Sequence, residues 1–288
     1  MNTISIPSSR PIDLSKTVLL RKVWSVLGNP ESAPMLVGAF ARDIWFWHLN
    51  EKDTIRRTED IDISMAFQTW DHFREGSKAL QNSGFTVPDP NCPEKLIEPE
   101  TGLKLDLIPF GGLSEDGKTI VWYGDRRRWG IIGFEDSYNS AVFLPVGGHD
   151  EAIRVATLPA IVTLKMMSFY ERPDERMKKD GADIGFIATE YLSVSPNTTR
   201  LMQGPDADLM DLVGGDILLA GCMLLGRDMA RLAGDVTRSE VVLHLQQEIE
   251  SPSKCPLARE VMKFTRGIFT KARSLLDHIL SGYQSVCR

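Results

Sequence analysis

The chain has 288 residues, 42% of them hydrophobic and 25% charged, with a formal net charge of −6. This is ordinary globular composition, enough chain for one large domain or two modest ones, and it excludes a disordered or fibrous protein. The acidic balance argues against bulk, sequence-independent nucleic-acid binding, whose affinity comes from Lys and Arg displacing counterions, but it leaves room for a local basic patch.

Residues 15–27 (SKTVLLRKVWSVL) carry apolar residues at helical spacing and stop at a Gly-Asn-Pro breaker. Residues 35–40 (MLVGAF) suit a short buried strand, and ARDIWFWHLN then predicts a helix packed on a sheet. Residues 60–67 (DIDISMAF) predict a strand with Ile61, Ile63 and Met65 on one face and Asp60, Asp62 and Ser64 on the other. A helix over 69–83 follows, ended by Gly84. KLIEPETGLKLDLIPF predicts two strands around a Glu-Thr-Gly turn, the second carrying Leu105, Leu107 and Phe110 with Asp106 among them. Three further short strands (TIVWY, SAVFLPV, AIRVATL) fall within 119–155, in an order the sequence leaves open.

From Pro159 the pattern turns helical, with polar breaks at PDERMKKDG, SVSPNTT and SPSKCP. The expected organisation is a mixed α+β head over 1–157 and a mostly helical C-terminal domain over 158–288, without internal repeats. Cys92, Cys222, Cys255 and Cys287 form no CxxC pair, and His48, His72, His149, His244 and His278 have no metal-ligand spacing. No apolar run is long enough for a bilayer and the N-terminus has no apolar leader core, so a soluble, cytoplasmic protein without a membrane partner is expected.

Two carboxylates at i and i+2 of one strand, with a third on a neighbouring strand, concentrate negative charge that needs a counter-charge. A hard divalent cation with oxygen ligands supplies it, and a pair of such ions can clamp the attacking and leaving oxygens of an in-line displacement at phosphorus. The plainer reading of a DxD triplet is the solvated face of an edge strand. Two features favour chemistry: a glycine in VGAFARD where a strand becomes a helix, which suits phosphate, and Asp106 among apolar neighbours, where an uncompensated carboxylate is expensive.

The order of VGAFARD, TEDIDI and LKLDLIPF resembles the nucleotidyltransferases of the DNA polymerase β superfamily. The first two segments look like the arrangement in CCA-adding enzymes and in AbiEii-type nucleotidyltransferase toxins. ATLPAIVTLKMMSFYERPDERMKKDGADIGFI is similar to the helix pair of the AbiEii-like group, through Lys165, Arg172, Lys179, Asp180 and Asp183. The resemblance covers residues 35–190.

The resemblance implies a nucleotidyltransferase-type mixed sheet with flanking helices, and two Mg²⁺ ions (or Mn²⁺) held by Asp60, Asp62 and Asp106, with an NTP as substrate. It matches Gly38 to the phosphate-turn glycine and Asp106 to the carboxylate that helps deprotonate an acceptor hydroxyl. Arg42, Lys165, Lys179 and Asp183 are matched to the nucleotide site. For Arg42 a surface salt bridge to Asp43 or Glu59 is the alternative, and for Lys165 a side chain snorkelling from a buried helix. Ala39 stands where the family usually has a second glycine or a serine.

The implied partners are the NTP, tRNA or another RNA as acceptor, and a cognate antitoxin. The alternatives are a small-molecule, antibiotic-type adenylyltransferase and a non-catalytic nucleotide-binding module. Arg126, Arg127 and Arg128 read as a solvated loop or an RNA contact, and Lys263, Arg266, Lys271 and Arg273 as a basic helix face.

Overall fold

Alternation in the segment after residue 59 organises the first of two units, residues 1–157 and 158–288, in the computed structural model of the chain. The structure describes all residues except 1, 30–31, 57, 149–150, 172–174, 252–254 and 287–288, and the side chains of 175–176. His149, Arg172 and Cys287 therefore lie outside the described residues.

The first unit opens with helix α1 (Leu14–Leu27), which buries Leu19, Leu20, Val23, Trp24 and Leu27 and lies against helix α3 (Trp70–Asn82). Strand β1 (Met35–Val37) runs into helix α2 (Gly38–Asp43), which continues as a π-helical turn over Ile44–Leu49. The apolar run through residue 40 thus divides: the strand stops at Val37, because Gly38 turns the backbone to φ +69° and begins the helix. β2 (Asp60–Ala66) precedes α3, whose first turn is capped by the Thr69 hydroxyl accepting from the His72 amide at 3.2 Å.

β3 (Lys95–Glu98) and β4 (Leu103–Phe110) follow as expected. The hairpin β5 (Thr119–Val121) and β6 (Arg128–Gly130), helix α4 (Phe134–Ser140), and strands β7 (Val142–Pro145) and β8 (Ala152–Val155) complete the unit. The main sheet has the order β3-β4-β2-β1-β8-β7, with β2 parallel to β4, β1 parallel to β8 and the other neighbours antiparallel. A mixed sheet with flanking helices, followed by a mostly helical region, is the α+β class expected.

One face of β2 buries Ile61, Ile63 and Met65 completely or nearly so. The other face differs from the expected solvated one. Asp60 is exposed and Asp62 half-buried, but Ser64 is fully buried and Ala66 packs on a second apolar cluster formed by Phe110, Ile120 and Ile131. Phe110 pairs with Ala66 and so shares the aspartate face rather than that of Leu105 and Leu107. The β5–β6 hairpin and α4 therefore cover the far half of this face and leave open the half that carries the aspartates.

The second unit contains α5 (Leu158–Glu171), apolar on nearly every side and buried, and α6 (Glu175–Glu190). It continues with α7 (Asn197–Gln203), α8 (Asp208–Leu212), α9 (Ile217–Leu232), α10 (Asp235–Glu250), α11 (Pro256–Val261) and α12 (Phe269–Val286). α7 occupies part of the expected polar break. The two long C-terminal segments each divide, at Gly214-Gly215 and at Arg266-Gly267, where the backbone enters positive φ.

α9 and α12 form the unit's most extensive helix pair, and they touch backbone to backbone: a Cβ on Gly226 would fall on the Ile279 carbonyl, and one on Gly282 on the Met223 carbonyl. Backbone cannot rotate out of the way as a side chain can. Gly282→Ala is therefore expected to destabilise the second unit by about 1–3 kcal/mol, as overpacking does, measured by urea denaturation. An unchanged midpoint would mean that the helices are not this close.

Candidate functional site

On the open half of the sheet face, strand register brings the three aspartates together. Asp62 stands opposite Asp106 and Asp60 opposite Lys104 across the parallel β2–β4 pair, and Val37 stands opposite Asp62 across β1–β2. Directly paired residues share a face, so Asp60, Asp62 and Asp106 form one group on adjacent strands. Asp62 and Asp106 are half-buried. Asp60 is more than half exposed and lies 3.8 Å from the Lys104 ammonium.

Gly38 completes the group from β1. Because Val37 opposes Asp62, the turn that follows must pass over the Asp62 carboxylate, and a Cβ at Gly38 would land on that carboxylate. With φ at +69° the position also sits in the left-handed region that favours glycine. Close approach and backbone conformation therefore both require the glycine. Ala39, 6% exposed, occupies the next position in the first turn of α2.

Burial pushes the Asp106 carboxyl above its ordinary value; Lys95 pulls it back, Asp60 and Glu94 push it further up, and Lys104 opposes them. Like charges crowded on a partly desolvated face explain the direction. Among the described residues, no three His, Cys, Asp or Glu side chains are drawn into a ready-made metal cage. The donor set nevertheless fits a hard divalent cation in kind: oxygen ligands only, on neighbouring strands.

The remaining expected nucleotide ligands are placed differently. Arg42 is fully buried, its Nε donating to Asp43 Oδ1 at 2.9 Å and its Nη2 to the Arg56 carbonyl at 2.9 Å. The salt bridge to Asp43 is the alternative the sequence offered, but it is buried rather than at the surface and forms part of a clamp between α2 and the chain before β2. Lys165 in α5 is nearly buried, with its ammonium 3.0 Å from Asp180 and 2.7 Å from Asp183 in α6. Burial lowers the Lys165 pKa, but Asp183 and Asp180 outweigh burial and hold it above its usual value. Three positions of the second resemblance segment thus meet inside the second unit, while Lys179 is exposed on α6.

The arginine run is not a plain solvated loop. Arg127 turns inward, donating from Nη1 to the buried Glu94 at 3.0 Å and from Nη2 to the Asn91 carbonyl at 2.9 Å, while Arg126 and Arg128 stay exposed. The proposed C-terminal basic face also dissolves. Lys263 pairs with Glu260, Arg273 donates to the Ile249 carbonyl, and the Arg266-Gly267 turn separates the two halves.

Sequence reasoning missed Lys95 and Lys104. Lys95 opposes Asp106 across β3–β4 and Lys104 opposes Asp60, so both belong to the carboxylate face. The alternation in LKLDL already placed Lys104 with Asp106; the position of Lys95 needed the β3–β4 register.

No protein-family model matches the chain, and no curated protein matches it. Among solved structures, it is similar to the solution structure of the antibiotic-resistance factor ANT(2'')-Ia, with 13% identity and a TM-score of 0.36 over 70% of this chain and 99% of that one. A likeness that weak transfers neither activity nor site residues to this chain.

Gly38→Ala is expected to destabilise the first unit by about 1–2 kcal/mol from its left-handed backbone alone, with a further penalty from contact with Asp62. In an Asp62→Ala background that further penalty should shrink, so a double-mutant cycle by urea denaturation should give a clear coupling. Strict additivity would contradict the contact.

Proposed function

We propose that the chain transfers a nucleoside monophosphate from an NTP to a hydroxyl acceptor, with the first unit carrying the chemistry. The observation that carries this reading is the Gly38 turn lying directly on Asp62, which is in register with Asp106. A turn without a Cβ lets the start of α2 lie against the Asp62 carboxylate, and the acidic face beside it suits the metal-bound end of a triphosphate. Asp60, Asp62 and Asp106 would hold Mg²⁺ or Mn²⁺, which supplies charge neutralisation to the phosphoryl group and acidity to the acceptor hydroxyl.

The protein's own part is positioning and proton transfer. Asp106, in register with Asp62 on the carboxylate face, is the group placed to accept the hydroxyl proton as the acceptor oxygen bonds to the α-phosphorus and pyrophosphate leaves. Arg42 and Asp43 brace α2 from within and so hold the Gly38 turn in place. Since positioning and charge do most of the work, no Ser, Cys or His nucleophile is needed.

A toxin of the AbiEii type, with an RNA acceptor and a cognate antitoxin, is the finer form of this reading and rests on the sequence resemblance alone, whose Lys165, Asp180 and Asp183 pair within the second unit. The non-catalytic alternative is disfavoured by the three carboxylates, which a binding module without metal would have no reason to hold on one face.

The test is incubation with Mg²⁺, each α-labelled NTP in turn and total bacterial tRNA, beside an Asp60→Ala/Asp62→Ala variant. Label reaching RNA only with the unaltered chain is the expected result. Aspartate-dependent NTP binding without label on RNA would point to a small-molecule acceptor, and no Mg²⁺-dependent NTP binding at all would overturn the reading.

A further inference from the structure

The carboxylate face is asymmetric in charge. On its β1 side lies the Gly38 turn; on its β4 and β3 side lie Lys104 and Lys95, each directly opposite an aspartate. Neighbouring strands are about 5 Å apart, so Lys95, three strands from β1, stands about 15 Å from the turn across the sheet. If the turn takes the triphosphate, these lysines are on the far side of the reacting centre, where the acceptor must enter for in-line attack.

We infer that Lys95 and Lys104 form a subsite for a phosphate carried by the acceptor, close to its attacking hydroxyl. This rests on the nucleotidyl-transfer reading and narrows its acceptor to a phosphate-bearing molecule rather than a polycation. Both lysines are exposed. The Lys104–Asp60 pair, 3.8 Å apart with both side chains more than half exposed, is worth little in water and yields readily to a better partner. A polyamine acceptor would meet two like charges there, whereas a phosphate would find two cations beside carboxylates whose own charge metal neutralises.

The surroundings extend the same chemistry. Arg127, bonded to Glu94 and the Asn91 carbonyl, fastens the β5–β6 hairpin to the chain entering β3, immediately before Lys95. That hairpin exposes Arg126 and Arg128, together with Tyr123, a residue 40% exposed with the Arg74 guanidinium 4.9 Å from its ring centroid. An exposed aromatic ring among cations is a platform on which a nucleobase can stack.

The test measures binding of a fluorescein-labelled single-stranded RNA oligonucleotide with a free 3′-hydroxyl by anisotropy across a salt series, with Mg²⁺–NTP binding measured in parallel. Lys95→Gln/Lys104→Gln should weaken the oligonucleotide on the order of 10-fold and flatten the salt slope by about 1.4, two contacts at about 0.7 each. NTP binding should persist, and Lys95→Arg/Lys104→Arg should restore the oligonucleotide.

Ribose 5-phosphate added as competitor separates the sources: displacement at low concentration supports the subsite and assigns it to small phosphorylated alcohols, while resistance supports a polynucleotide. Three results would overturn the inference: no oligonucleotide or ribose phosphate binding by the unaltered chain, an unchanged affinity in the glutamine variant, or equal loss of NTP, which would place the lysines on the triphosphate. Failure of the underlying reading looks different, as NTP binding indifferent to Asp62→Asn.

Discussion

The architecture of the site depends on one close contact, between the turn after β1 and the Asp62 carboxylate. β1 pairs with β2 so that Val37 faces Asp62, and the chain must then leave the sheet over that side chain. Only a residue without a Cβ can do so, and Gly38 does it in the left-handed region. The same register passes on to β4, where Asp62 meets Asp106. A one-residue slip in either pairing would turn half of this group to the opposite face, so strand pairing and site assembly are the same event.

Around that contact the sheet face divides into a dry half and a charged half. The β5–β6 hairpin and α4 pack against Ala66 and Phe110, and the apolar area they remove from water favours folding at about 25 cal/mol per Å². The open half keeps three like charges, and there burial, with Asp60 and Glu94 adding to it, raises Asp106. Fixed positive charge enters this half from Lys95 and Lys104. The arrangement stores electrostatic tension where a cation and a phosphate would relieve it.

Much of this was legible in the sequence wherever a local period carried the information. The two-residue alternation of DIDISMA fixed which residues of β2 go inward, and helical spacing located α1 and α3 to within a residue or two. Coverage of the second face was not legible, because it is supplied by a hairpin and a short helix more than fifty residues away in the chain. Arg42 and Lys165 show a related limit: a cation beside a motif looks available until its carboxylate partner is seen, and in both cases the partner is buried with it. Lys95 escaped notice because its relation to Asp106 exists only through the β3–β4 register.

The central claim is that Asp60, Asp62 and Asp106 with Gly38 make one divalent-cation and nucleotide site, and its most direct test is a titration of Mn²⁺ followed by electron paramagnetic resonance, with and without ATP. The account predicts that ATP recruits about two Mn²⁺ ions per chain and that Asp62→Asn/Asp106→Asn abolishes this recruitment without unfolding the protein. Nucleotide-dependent Mn²⁺ uptake that is the same in the variant would contradict the account, as would no uptake in the unaltered chain.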